Sequence, residues 1–309
     1  MAYFEFTTLD VFADSRFSGN PLAIVRVPKE YTSYLTKERK QLIAREFNLS
    51  ETVFLHGDEE ISSRAKIDIF TTDAELPFAG HPTIGSACYL MSRLSESTTD
   101  PPQRGTINTK SGPIPITYHH STGLASAQIP HNVHIHRAGV ALLDIIELQP
   151  VLTPYRSQLS STFPVVSIVR GMTFVLIELP DLEILTRVGP SSSVLSADLD
   201  KDWTGSFVAS YFFVKEKRTG NCLALRTRMI HGFMEDPATG SAASTLAAFL
   251  SLDAKDPNAE HEYYMVQGVE MGRRSEIGLK VRTNAAGDGV DEVTLSGKSA
   301  VITEGKLWC

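Results

Sequence analysis

The stretch Glu75-Leu76-Pro77-Phe78-Ala79-Gly80-His81 returns 160 positions later as Glu235-Asp236-Pro237-Ala238-Thr239-Gly240-Ser241. In both places a run of small and apolar residues follows. A glycine after an extended, proline-containing stretch leaves the first backbone N–H groups of a helix open to a ligand. The positive end of the helix dipole then favours an anion such as a substrate carboxylate. Neither start carries the lysine of a phosphate loop, a serine elbow or a cysteine, so the chemistry falls to acids and a histidine nearby.

Three residues qualify. Glu51 stands at the entry of the apolar run Thr52-Val53-Phe54-Leu55, where an ionised carboxylate is costly unless it is paired or functional. That suits a general acid or base, against the plain reading of a strand-end glutamate. His81 directly follows Gly80 and either hydrogen-bonds a ligand or packs at the loop. Asp236 precedes Pro237 and either faces the ligand or caps the helix. Ser241 is a donor to an anion or a small packing residue.

The elements that position these residues follow from the same repeat. In the one register, Phe47 meets Phe207, Ser50 meets Ser210, Ala87 meets Ala247 and Leu90 meets Leu250. The residues that do not repeat are informative: Glu51 meets Tyr211, His81 meets Ser241 and Asp73 meets Phe233. Around the two small-residue helices the chain alternates β-rich runs with turn residues. The pattern predicts an α+β fold of two pseudo-equivalent lobes, each a curved, mostly antiparallel, barrel-like sheet around a central helix. The expected lobes are residues 1–125 and 126–309, with the last strand free to return to the first lobe. Two glycine-led helix starts are expected to face one cleft, a preferred place for small ligands. Further helices are expected over 37–48 and 138–148, with Lys37, Arg39 and Lys40 on the wet face of the first.

Composition narrows the classes. With 29 basic and 36 acidic residues the net charge is −7, which argues against nucleic acid or an anionic membrane as partner. No long apolar run suggests a membrane span, and the N-terminal residues lack a secretory pattern. Three distant cysteines, Cys88, Cys222 and Cys309, fit a reducing, cytoplasmic setting better than a disulfide framework. His119, His120, His131, His134 and His136 cluster without interleaved Cys, Asp or Glu, and a polar connector is expected there in preference to a metal site. No cofactor fingerprint is present.

Five segments together are specific. Residues 10–25 (DVFADSRFSGNPLAIV), 44–55 (AREFNLSETVFL), 69–87 (IFTTDAELPFAGHPTIGSA), 235–243 (EDPATGSAA) and 266–281 (VQGVEMGRRSEIGLKV) resemble, in order, the phenazine-biosynthesis PhzF-like isomerase family. The resemblance implies a diaminopimelate epimerase-like fold and cofactor-independent proton movement on a small carboxylate-bearing carbon acid, by a homodimer. It implies Glu51 as the proton-shuttling acid, with His81 and Asp236 assisting. It implies Gly80, Gly240 and Ser241 as substrate-binding helix starts. Asn20, Ser50 and Asp73, in the same segments, complete the expected substrate-binding set. The cysteine pair of the epimerase relatives is missing here. Where the family often has a glycine-led "STG", this chain has Arg170-Gly171-Met172, bulk that would alter the substrate if it lines the site. A non-catalytic binder on this fold, and a lyase using Asp236 and His81, are the alternatives.

Overall fold

A computed structural model describes residues 3–57, 63–94 and 102–308; Cys309 lies outside them. The chain divides into two compact units, Met1–Ile129 with Leu295–Cys309, and Pro130–Thr294.

In the first unit, β1 (Tyr3–Val11) and β2 (Asn20–Val27) pair antiparallel. Helix α1 (Lys37–Phe47) leads to β3 (Glu51–His56), parallel to β2. β4 (Arg64–Phe70) runs antiparallel to β3, and the two-residue β5 (Glu75–Leu76) folds back on β4. Helix α2 (Gly80–Met91) then crosses to β6 (Gln103–Thr109), parallel to β4. β7 (Gly112–His119) and β8 (Leu124–Gln128) continue antiparallel. The C-terminal strand Ser299–Trp308 pairs antiparallel with β1.

Local chemistry explains these boundaries. The Thr36 hydroxyl accepts the Arg39 N–H and starts α1, and Asn48 ends it at φ 50°, a left-handed cap that asparagine tolerates. One side of α1 packs through Ile43 and Ala44 onto Phe4, Val25, Val27, Phe54 and Phe70. Lys40 is buried on that side, which corrects the expectation that the whole basic run is solvated. Its ammonium donates to Asp68 on β4, and His56 Nε2 lies 2.7 Å from the same carboxylate oxygen. Burial works to raise the Asp68 carboxyl, but hydrogen bonds from His56 and Lys40, and their charges, outweigh it and hold the group well below the usual carboxylate range.

Helix α2 is different in kind: all twelve residues are buried, as expected of a helix with no polar stripe. Close approach needs small side chains. A Cβ on Gly85 would come within 2.5 Å of Leu22 Cδ2 and 2.8 Å of Val11 Cγ2.

The second unit holds β9 (His134–Ile135), β10 (Val140–Ala141), α3 (Leu142–Leu148), β11 (Thr162–Phe163), β12 (Val165–Val169), β13 (Met172–Glu178), α4 (Leu182–Arg187) and β14 (Phe207–Thr219). They are followed by β15 (Cys222–His231), β16 (Met234–Asp236), α5 (Gly240–Ala254), β17 (Glu260–Gln267), β18 (Ser275–Thr283) and β19 (Val290–Gly297), before the final strand, β20. Pairing repeats the first unit. β12 and β13 are antiparallel, β14 is parallel to β13, and β15 is antiparallel to β14. β16 folds back on β15, β17 runs parallel to β15 across α5, and β18 is antiparallel to β17. α5 begins 160 residues after α2, in the register of the sequence repeat. The molecule is therefore α+β with two pseudo-equivalent lobes, each a largely antiparallel sheet packed on a buried central helix. A second core of Val140, Ile145, Phe163, Val175, Ile184 and Phe212 seats α3 and α4. Among the described residues no helix is long and apolar enough to cross a membrane.

Candidate active site

In the first unit the left-handed turn at Asn48 brings the chain out of α1 and into β3, whose first residue is Glu51. His81 is the second residue of α2 and is buried. The two meet: His81 Nδ1 and Glu51 Oε2 are 2.9 Å apart. With the carboxylate accepting, Nδ1 carries a hydrogen, and in the tautomer with one ring hydrogen Nε2 is the acceptor. Nε2 is then the remaining lone pair, and it is buried without a hydrogen-bond partner. A buried imidazole nitrogen left unpaired is costly in the folded chain.

Beside this pair, Ser50 Oγ donates to Asn20 Oδ1 at 3.2 Å, and Asn20 is almost fully buried. Asp73 stands elsewhere. It is exposed at the tight turn from β4 to β5, where its N–H donates to Thr71 Oγ1 and Thr72 Oγ1 donates to its carboxylate.

Neither central helix has a side-chain cap at its start. The residue before Gly80 is Ala79, and Thr239, before Gly240, does not bond the first turn. Threonine is a competent cap, but here its hydroxyl donates instead to Asp236 Oδ2 at 2.6 Å. The first N–H groups of both helices are thus left to other acceptors. Ser241 is half-buried, and its carbonyl accepts from Thr245 Oγ1.

Asp236 closes β16, opposite Met229 of β15. Its neighbour Glu235 receives a two-pronged bond from Arg228, Nε to Oε1 at 2.7 Å and an Nη to Oε2 at 2.8 Å. Arg228 also donates to the carbonyls of Leu185, Thr186 and Val188 at the end of α4. Sequence reasoning passed over Arg228, Thr239 and Gln267. Thr239 and Gln267 lie inside motif segments and carried that signal, whereas Arg228 sits in an ordinary strand and carried none.

The histidine cluster does not assemble as one site. His120 Nε2 is hydrogen-bonded with Gln103, and His131 Nε2 with the carbonyl of Val290. His134 and His136 lie near Asp200, with candidate ligand atoms within 4.8 Å of one another. Both ring nitrogens of His136 are already engaged, Nδ1 accepting the Asp200 N–H and Nε2 with Ser167 Oγ at 2.9 Å. A cation there would have to displace a backbone hydrogen bond. Burial, then His134, hold His136 below the ordinary imidazole value, with Asp200 opposing. Arg170 is exposed on the turn from β12 to β13, its guanidinium 5.7 Å from the Trp203 ring centre. Gly171 in that turn has φ +91°, a conformation suited to glycine.

Residues 9–305 match the family described as phenazine biosynthesis-like protein, PhzC-PhzF. A trans-2,3-dihydro-3-hydroxyanthranilate isomerase of Pseudomonas aeruginosa is 30% identical, with 98% of this chain and 99% of that protein covered. An uncharacterized isomerase of Mesorhizobium japonicum is also 30% identical, with 97% of each covered. A crystal structure of a PhzF-family phenazine biosynthesis protein from Bacillus anthracis superimposes with a TM-score of 0.77 at 20% identity, covering 100% of both chains. A duplicated sheet-and-helix scaffold, the order of its motifs and this full-length similarity agree: the chain belongs to the phenazine biosynthesis-like family and is a PhzF-like isomerase.

Proposed function

We propose that this isomerase moves a proton between carbons of a small carboxylate-bearing carbon acid without a cofactor, with Glu51 as the general acid and base. The observation that carries this is the Glu51–His81 pair at an uncapped helix start, with His81 Nε2 buried and unpartnered. Glu51, ionised, takes a proton from an activated C–H. The bonding pair moves into the adjoining unsaturation, and the same proton is returned at another carbon, so that nothing is oxidised or reduced. His81 Nε2 then accepts a hydrogen bond from the substrate while Nδ1–H keeps the Glu51 carboxylate aimed. The N–H groups at the Gly80 helix start, beside Glu51, meet negative charge of the substrate; donors of this kind are worth about 3 kcal/mol each. Gly240 and Ser241 are proposed as substrate-binding residues from the family resemblance. Asn20 and Ser50 supply polar contacts next to Glu51, Asp236 orients or relays the proton, and Asp73, exposed on its turn, completes the substrate-binding set.

The names of the relatives make trans-2,3-dihydro-3-hydroxyanthranilate the first substrate to try. A homodimer in the cytoplasm fits the family and the free thiols Cys88 and Cys222. The experiment is isomerisation and C–H exchange of that compound in D₂O. Glu51→Gln keeps the size of the side chain and removes its titratable proton, so turnover should fall by about 10² or more with binding little changed. Near-normal exchange in a folded Glu51→Gln protein would overturn the reading.

A further inference from the structure

In the second unit, the position equivalent to Glu51 belongs to Tyr211, and that tyrosine begins a chain of side-chain hydrogen bonds ending at Asp236. The Tyr211 hydroxyl donates to Gln267 Oε1 at 3.1 Å and has Thr227 Oγ1 at 3.0 Å. Gln267 Nε2 donates to the Asp236 carbonyl at 2.8 Å and to Thr239 Oγ1 at 3.0 Å. Thr239 Oγ1 donates to Asp236 Oδ2 at 2.6 Å. Tyr211, Thr227 and Gln267 are fully buried, where such bonds are not exchanged for water.

The direction of the chain is determined by donor chemistry. The amide nitrogen of Gln267 can only donate, so its oxygen must face Tyr211. Thr239 accepts from that nitrogen and spends its single hydrogen on Asp236. Every hydrogen therefore points toward the aspartate, and both the backbone and the carboxylate of Asp236 are gripped through one glutamine. Tyr211 locks that glutamine against rotating its amide end for end. Thr239, diverted from capping α5, links the grip to the helix start.

We propose that Gln267, held by Tyr211 and acting through Thr239, is the positioning residue for Asp236, and that the second unit uses its copy of the Glu51 position for this purpose instead of for proton transfer. The proposal rests on the reading that Asp236 takes part in the reaction. A merely structural glutamine would alter stability and leave kcat unchanged. A positioning residue sets kcat, because displacement of a reacting group by about 1 Å costs on the order of 10²-fold.

The test has two arms, both on the full chain. In the first, turnover of trans-2,3-dihydro-3-hydroxyanthranilate is followed with Gln267→Glu, which keeps the acceptor and loses both donors, and with Thr239→Val and Thr239→Ser. Gln267→Glu and Thr239→Val should lower kcat by about 10- to 100-fold with KM nearly constant, and Thr239→Ser should recover most of it. Wild-type kcat in a folded Gln267→Glu protein would overturn the proposal. In the second arm, the side-chain amide resonances of Gln267, identified by their loss in Gln267→Glu, are followed by NMR without substrate. They should shift in Asp236→Asn and Tyr211→Phe and stay in place in Glu51→Gln. Unmoved resonances in Asp236→Asn would overturn the coupling. If the wild type does not turn the compound over, the functional reading fails on its own, and the NMR arm still decides whether Gln267 holds Asp236.

Discussion

The two units share one scaffold and fill it with opposite chemistry. At the strand position that opens toward the central helix, the first unit has Glu51 bonded to His81, an ionisable pair with an unpartnered nitrogen. The second has Tyr211, fully buried, and Ser241. Burial pushes the Tyr211 hydroxyl well above its ordinary range, against the Thr227 hydrogen bond, so it stays neutral. A second contrast lies on the neighbouring strands. Asp68 of β4 and Arg228 of β15 are 160 residues apart and carry opposite charges, the first half-buried and the second buried. Asp68 holds α1 through Lys40, and Arg228 holds the end of α4. Duplication thus preserved the backbone and the need for something polar at each position, and divided the roles.

Making the units alike should break the second one first. Tyr211→Glu would set a carboxylate among the Thr227 hydroxyl and the Gln267 amide with no cation on either bond. An unpaired buried charge costs several kcal/mol, roughly 3 or more. Urea unfolding at neutral pH should show this loss, shrinking as acid neutralises the new carboxyl. Unchanged stability would mean that position 211 tolerates charge as position 51 does.

The Asp68 cluster should give the next effect, read by pH. Its folded carboxyl is held below the unfolded value, so its stabilisation is present above the unfolded range and is lost as pH falls through the folded one. Thermal unfolding of the wild type should therefore weaken from about pH 5 downward, across the acid range in which such carboxylates titrate. Asp68→Asn should start less stable at neutral pH and show a flatter acid limb. Parallel curves for the two proteins would remove Asp68 from the account.

The smallest effect belongs to the central helices. Gly85 of α2 stands where α5 has Thr245. An added methyl would press on Leu22 and Val11, so Gly85→Ala should destabilise by about 1 kcal/mol, overpacking outweighing the gain in helix propensity. A rise in Tm would show that the strands yield.

Much of this scaffold was legible beforehand because its signals are local. Two glycine-led, small-residue helices in one register announce a duplication, and Thr36 with Asn48 punctuates α1. α4 was not anticipated: six residues are too few to display a helical period. In the site, Glu51 and His81 each drew notice by type and place, yet their bond joins residues 30 apart and depends on how β3 meets α2. In the sequence Lys40 reads as solvated because its partners, His56 and Asp68, belong to later strands. Gln267 and Tyr211 are 56 residues apart, and nothing in either local sequence announces the other.

Opposite charges at one strand position also differ in the helix that each can hold. The two sheets have the same pairing order, so each offers a similar apolar seat to an outer helix. Were α1 to settle on the second sheet, the Lys40 ammonium would meet the Arg228 guanidinium, already paired with Glu235, in place of the Asp68 carboxylate that it bonds on the first. The end of α4 on the first sheet would set its carbonyl oxygens against the Asp68 carboxylate, with no hydrogen to share. A chain built from two similar halves is exposed to mistaken assembly between them, and the exchange of Asp68 for Arg228 gives each half's outer helix a polar partner that the other half lacks.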